Sequence, residues 1–403
     1  MMRRGRLLFI ILSLAVVAVM VGGSLLAATA RRDGADSPYK YLSMFVEVLD
    51  LVKRAYVDET ETSVLMEGAL EGATDALGPF SFYVPANALE GFEQARTVGA
   101  SRSGLIVLKE RGVAFVAGVV RGSPAAQAGI ERGDLIATLQ GRPTRKMLLW
   151  EIQSILASEP GTEIELHRIR LGEQQDVRFA LATYPRPGVR LDTVRGVAVL
   201  DLEVFDAATA HDLALTLRSL EATADPAPLV SVRDTLILDL RNLVGGDPAA
   251  GYEVAGLFAS GDLGVLKAGE QTLETFTAKT PPRWTGEVVV LVNGGTQGAA
   301  EILASVLAAQ PNVHVVGQPS FGHSGRESLV PLSNGDRLQV TTAFFTGPDL
   351  QPLDQRLEPD VVVRPQGFDL DGDADRDDIL EHAVGLVLGD EAWPETPEAR
   401  KAA

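Results

Sequence analysis

The apolar positions of this chain change period several times, and each change marks a boundary. After the basic start MMRRGR, the run LLFIILSLAVVAVMVGGSLLAATA carries no charge until Arg31. That is long enough to cross a bilayer as a helix. The arginines before it favour a cytoplasmic N-terminus and an exported body. Ala28-Thr29-Ala30 also fits a small-x-small cleavage site, so a cleaved, secreted form is the alternative. The expectation is an uncleaved membrane anchor over 1–30, with the body in the periplasm or outside the cell.

A polar linker, RRDGADSP, leads into a helical pattern. Phe45, Val46, Leu49, Val52 and Ala55 recur at helical spacing, and Leu65, Met66, Ala69, Leu70 and Ala73 repeat it. Residues 58–62 are the polar break between two helices, and Gly78-Pro79 stops the second. Over 100–183 the period shortens to that of strands, at 104–109, 113–120, 135–139, 163–169 and 176–181. Pro124 opens a short helix, Gly129 ends it, and a second helix covers 147–156. From about 184, strands at 196–202, 234–240, 288–292, 313–316 and 337–342 alternate with helices at 207–222, 251–258 and 299–309. Near-continuous apolar strands separated by helices predict an α/β domain whose sheet is covered on both faces. A last helix spans 379–388. The expected organisation is a membrane segment (1–30), a helical region (31–99), a β-rich module (100–183), an α/β domain (184–366) and an acidic segment with a C-terminal helix (367–403).

At 403 residues the chain is long enough for two or three domains. Its 46% hydrophobic and 22% charged residues are those of an ordinary globular protein. The absence of cysteine excludes disulfides, zinc-thiolate sites and thiol catalysis. A net charge of −18 argues against a nucleic-acid partner, which would need Lys and Arg against phosphates. The acidic stretch DLDGDADRDD fails as a calcium loop, because Ala374 or Arg376 stands where the turn requires glycine. No metal or cofactor is expected.

GSPAAQAGIERGD, residues 122–134, resembles the GSPA-x-x-AG-[IL]-x-x-GD signature of bacterial PDZ domains. The resemblance implies that Ser103, Gly104, Leu105 and Ile106 form the loop that captures a peptide C-terminus, while the peptide adds a strand to the sheet edge. The alternative is a PDZ-shaped module that only packs on its neighbour. The rest of the chain is similar to the C-terminal processing peptidases, the tail-specific serine proteases of family S41. FVEVLDLVKRAYVD resembles their first helix and DLRNLVGG their DLRNNPGG segment. VNGGTQGAAEI resembles N-x-GSASASEI, VVGQPSFGHSGRE resembles VGxxTFGKGxxQ, and TTAFFTGPDLQPL and LEPDVVV resemble TAxYYTPxGxxI and IEPDxxV. The resemblance implies a crotonase-like α/β peptidase core, α+β overall, with N-terminal helices able to serve dimerisation.

In such enzymes a serine attacks, a buried lysine takes its proton and a glutamine orients the lysine. Carried over, the nucleophile position is Gly298, the base position His323 and the orienting position Glu327. All three side chains differ from the family's, while the spacing between Gly298 and His323 is the family's own. Gly245, Gly246 and Ala299 stand where backbone N–H groups would meet a developing oxyanion. Where the family has Asp-Pro-His, this chain has Gly78-Pro79-Phe80. Three readings stay open. One is a membrane-tethered pseudoprotease that binds the C-terminal tails of exported or membrane proteins, or regulates an active homologous protease. Another is an active peptidase using Thr296 or Ser324 with His323. The third is a scaffold whose PDZ domain and N-terminal helices only support assembly, for example into a homo-oligomer.

Overall fold

The computed structural model describes residues 38–185, 188–222, 235–363, 377–391 and 393. The chain divides into two compact units, one up to Leu70 and one from Glu71. Helix α1 (Pro38–Ala55) and helix α2 (Thr62–Asp75) stand on either side of the expected polar break. The expectation of a membrane helix is corrected. Among the described residues no helix is long and apolar enough to cross a membrane. The 18-residue α1 carries Lys40, Glu47, Asp50, Lys53 and Arg54, charges too costly for a bilayer interior. Residues 1–30, on which the anchor rested, lie outside the described residues. Membrane tethering, the membrane as a partner and the placement derived from it are therefore withdrawn.

The short strand β1 (Phe82–Val84) and helix α3 (Leu89–Val98) follow. The β-rich module then comprises β2 (Leu105–Glu110), β3 (Val113–Val119), α4 (Pro124–Gln127), β4 (Leu135–Leu139), β5 (Arg142–Pro143), α5 (Leu149–Leu156), β6 (Glu163–Arg170) and β7 (Glu173–Ala180). The sheet order is β2-β3-β4-β6-β7, so β2 lies at an edge. Its own core includes Val107, Val116, Ile136, Ile152, Ile164 and Leu166. Ser123 caps α4 by accepting from Ala126 N–H, with Pro124 at the first helical position.

The third part comprises β8 (Val189–Val194), β9 (Val197–Leu202), α6 (Thr209–Ala222), β10 (Thr235–Asp239), α7 (Pro248–Ala255), β11 (Asp262–Ala268), β12 (Gln271–Thr277), β13 (Glu287–Val292), α8 (Ala299–Ala308), β14 (Val313–Gly317), β15 (Gly325–Pro331), β16 (Arg337–Phe345), β17 (Val361–Val362) and α9 (Asp378–Leu388). The central sheet runs β17-β14-β13-β10-β9-β8, parallel except for the β8–β9 pair. Its two faces explain the apolar runs. Leu236, Leu238, Val288 and Val290 pack with α6, α7 and α8, whereas Ile237, Val289 and Leu291 pack with Ile379, Ala383 and Val384 of α9. A strand covered on both faces has no polar side to alternate with. A second, antiparallel sheet joins β1, β16, β11 and β12, with β15 on β16. The apolar period alone did not reveal β8, β11, β12 or β15: β12, for example, is exposed at almost every position and has no apolar face to show.

Candidate functional site

Three neighbouring parallel strands, β10, β13 and β14, send their carboxyl ends to one edge of the central sheet, the usual place for a ligand site in such a sheet. The segment after β10 is anchored by Arg241. Its guanidinium reaches both carboxylate oxygens of Asp239, at 2.9 and 2.6 Å, and both of Asp377, at 2.6 and 2.7 Å. Asn293, just past β13, ties the two segments together. Its amide nitrogen donates to Asn242 Oδ1 at 3.0 Å, and its Oδ1 accepts from Asn242 N–H at 3.0 Å.

Gly298 is the pivot. It caps the N-terminus of α8 at φ 68° and ψ −124°, a conformation that costs an L side chain free energy and that marks strained strand-to-helix elbows. A Cβ here would stand 2.9 Å from the carbonyl oxygen of Gly245. That carbonyl accepts from Ala299 N–H at 3.2 Å. Gly245 N–H in turn donates to Gln297 Oε1 at 2.8 Å, and Gln297 Nε2 donates to the His323 carbonyl at 2.6 Å. Two of the three N–H groups expected to face an oxyanion are therefore spent inside the protein. Gly246, at φ 84°, is held to glycine by Phe205, whose Cβ would lie 2.7 Å from an added Cβ.

The two hydroxyls considered as substitutes are committed as well. Thr296 Oγ1, fully buried, donates to Leu240 O at 2.9 Å and accepts from Asn293 N–H at 3.0 Å. Ser324 Oγ donates toward Glu301 Oε2 at 2.7 Å and Gly298 O at 3.2 Å. Neither is hydrogen-bonded to His323. The His323 ring lies flat on Phe80, with centroids 3.9 Å apart and planes 6° apart, and Phe344 meets it edge-on at 5.6 Å. His323 Nε2 and Glu327 Oε1 are 3.1 Å apart, so the expected base and orienting positions do meet.

Glu301, one turn into α8, organises this loop. Its fully buried carboxylate accepts from Gly322 N–H at 2.8 Å, His323 N–H at 3.0 Å, Ser324 Oγ and Ser320 Oγ. Burial pushes its carboxyl above the ordinary range, against the pull of these four donors. The sequence motifs assign no role to Glu301 or Gln297. The available signal was a single carboxylate in the otherwise apolar and small AAEILASVLA, and a long amide among glycines.

The β-rich module touches the same edge. Arg132, from the turn before β4, lies against Gly295, where its Nε would be 2.6 Å from an added Cβ, and Val244 packs on Gly118 of β3. Burial lowers the Arg132 guanidinium from its ordinary value. The proposed carboxylate loop is compact. Ser103 is fully buried, and Gly104, at φ 82°, sits so close to Ser123 that a Cβ would fall 1.9 Å from its Oγ. Gly104 N–H donates to Ala100 O at 2.7 Å, and Leu105 N–H donates to Ser103 Oγ at 3.1 Å.

Comparison with known proteins adds an independent line. Residues 196–363 match the family model described as peptidase family S41, and residues 115–167 match that of the PDZ domain. The carboxy-terminal processing protease CtpA of Bacillus subtilis is 26% identical over 87% of this chain and 75% of its own length. The carboxyl-terminal-processing protease of Picosynechococcus is 28% identical over 99% of this chain and 100% of its own. Among solved structures, the photosystem II D1 C-terminal processing protease superposes with a TM-score of 0.62 at 23% identity, over 81% of this chain and 95% of the other. That structural likeness concerns the fold.

Proposed function

We propose that this chain, whose residues 196–363 match peptidase family S41 and residues 115–167 a PDZ domain, is a non-catalytic relative of the C-terminal processing peptidases that binds protein C-terminal tails. One observation carries the proposal: the elbow at Gly298 has no nucleophile, and the N–H groups of Gly245 and Ala299 that would flank it are bonded to Gln297 and Gly245. Without a side chain at 298 no acyl-enzyme forms there. With its donors occupied, the hole offers little to a tetrahedral oxyanion, whose stabilisation is usually the largest single contribution to catalysis. The commitment of Thr296 and Ser324 to buried acceptors weighs against the active alternative. The edge position of β2 supports tail binding, because a peptide strand has a free edge to join.

The test is proteolysis of an unfolded protein with an apolar C-terminus by the full chain, followed by mass spectrometry. No cleavage is expected. The variant Gly298→Ser/His323→Lys/Glu327→Gln is also expected to stay inactive, since the new Cβ meets Gly245 O at 2.9 Å. Adding Gln297→Ala, the residue type the family motif has at that position, frees Gly245 N–H and unties the loop after β10 from the loop after β14, so that Gly245 O can yield to the new Cβ; it is the change expected to admit activity. Cleavage by the unmodified chain that disappears in Thr296→Ala or Ser324→Ala would sink the proposal.

A further inference from the structure

The groove beside β2 has a wall that does not come from the PDZ fold. A cavity of about 190 Å³ is bounded by Leu105 and Ile106 of β2, by Gln153 and Leu156 of α5, and by Ala95 and Arg96 near the end of α3. Arg96 is the one charged side chain among the residues lining it. A peptide C-terminus entering this groove brings a carboxylate that needs donors. Two of the backbone N–H groups assigned to that task, those of Gly104 and Leu105, already donate to Ala100 O and Ser103 Oγ. The neighbouring Arg102 is committed too: it donates to the carbonyls of Ala157 and Ser158 and pairs with Glu159 at 3.3 Å. Arg96 differs. It is exposed, its guanidinium carbon stands 5.8 Å from the centroid of the buried Phe92 ring, and no carboxylate of the described residues pairs with it. A cation held over an aromatic face loses little freedom when it binds, and a guanidinium fork matches a carboxylate in two parallel hydrogen bonds.

We infer that Arg96 receives the α-carboxylate of the bound protein tail, while the apolar cavity takes the last side chain. The inference rests on the tail-binding reading above. It makes carboxylate recognition a property of α3 and the PDZ domain together.

The experiment is fluorescence anisotropy on the full chain, with a labelled decapeptide of apolar C-terminus offered as free acid and as amide. Ile106→Asp serves as the groove control. The unmodified chain should prefer the free acid. Arg96→Gln should lose about tenfold in affinity for it, the scale of one charge-assisted contact, and leave the amide unchanged. Arg96→Lys should recover part of the preference. If Arg96→Gln keeps the preference for the free acid, or weakens both peptides equally, the inference is overturned and the carboxylate is received elsewhere. If the unmodified chain binds neither peptide, or Ile106→Asp binds as well as it does, the tail-binding reading itself fails.

Discussion

A glycine at 298 relieves an elbow. At φ 68° it occupies backbone space that a serine reaches only with strain. Its neighbour Gln297 closes the loop after β10 onto the loop after β14. Glu301 is the complementary anchor, and its removal exposes its worth. Glu301→Ala leaves the Gly322 and His323 N–H groups and two serine hydroxyls without their shared acceptor. A loss of about 3–4 kcal/mol in chemical denaturation is expected. Glu301→Gln, equal in size but with only one acceptor oxygen, should lose more than half of that. A loss under about 1 kcal/mol for the alanine variant would show that the loop is held by other contacts.

Between elements, α7 and α8 approach closely at the site. Gly251 faces the first turn of α8 so tightly that a Cβ would stand 2.6 Å from the Ala299 carbonyl oxygen. The obstacle is backbone, which has no rotamer to yield. Gly251→Ala should therefore push the helices apart at a cost of about 2 kcal/mol, read as a lower denaturation midpoint, although alanine is the better helix former. An unchanged or raised midpoint would mean that the two helices slide freely. The same contact explains why small residues open α8: Ala299 and Ala300 are fully buried against their neighbours.

At the scale of the molecule, the C-terminal helix closes the second face of the central sheet. Asp377 joins it to the site. Its carboxylate accepts from Leu380 N–H as the cap of α9 and pairs with Arg241, which holds the loop after β10. Partial burial alone would raise its pKa, but the hydrogen bonds and charge of Arg241 together with the N–H groups of Leu380 and Ile379 outweigh this and hold the carboxyl below its usual value. A depressed acid contributes stability that is fully present above its unfolded pKa of about 3.9 and is lost as pH falls through the lower folded value. Asp377→Asn should lower the melting temperature at pH 7, with the gap to the unmodified chain closing below about pH 4. A gap that stays constant down to pH 3 would contradict this linkage. His323, by contrast, lies between Phe80 and Glu327 and ties the first helical region's exit to β15 through stacking and one polar contact.

Much of this was legible in the amino-acid order, for local reasons. Period and punctuation carried the strands of the PDZ module, the parallel strands and their helices, because a doubly covered strand and a glycine-bounded turn leave marks within a few residues. Motif spacing located Gly298, His323 and Glu327 and brought them to one edge. Three things needed the folded chain. The antiparallel strand at 271–277 is exposed almost throughout and that at 325–331 is nowhere buried, so neither announces a face, and their pairing supplies what their pattern lacks. Whether the N–H groups of Gly245 and Ala299 are free depends on a side chain, Gln297, whose partners lie 52 residues before it and 26 after it. The charge on the PDZ groove comes from α3, outside the PDZ sheet, and only packing brings Arg96 beside Leu105. The sequence by itself determined which residues stand at 298, 323 and 327, since composition at a fixed position needs no geometry. The tertiary structure decided which groups bond around them, because hydrogen-bond donors are satisfied across space and not along the chain.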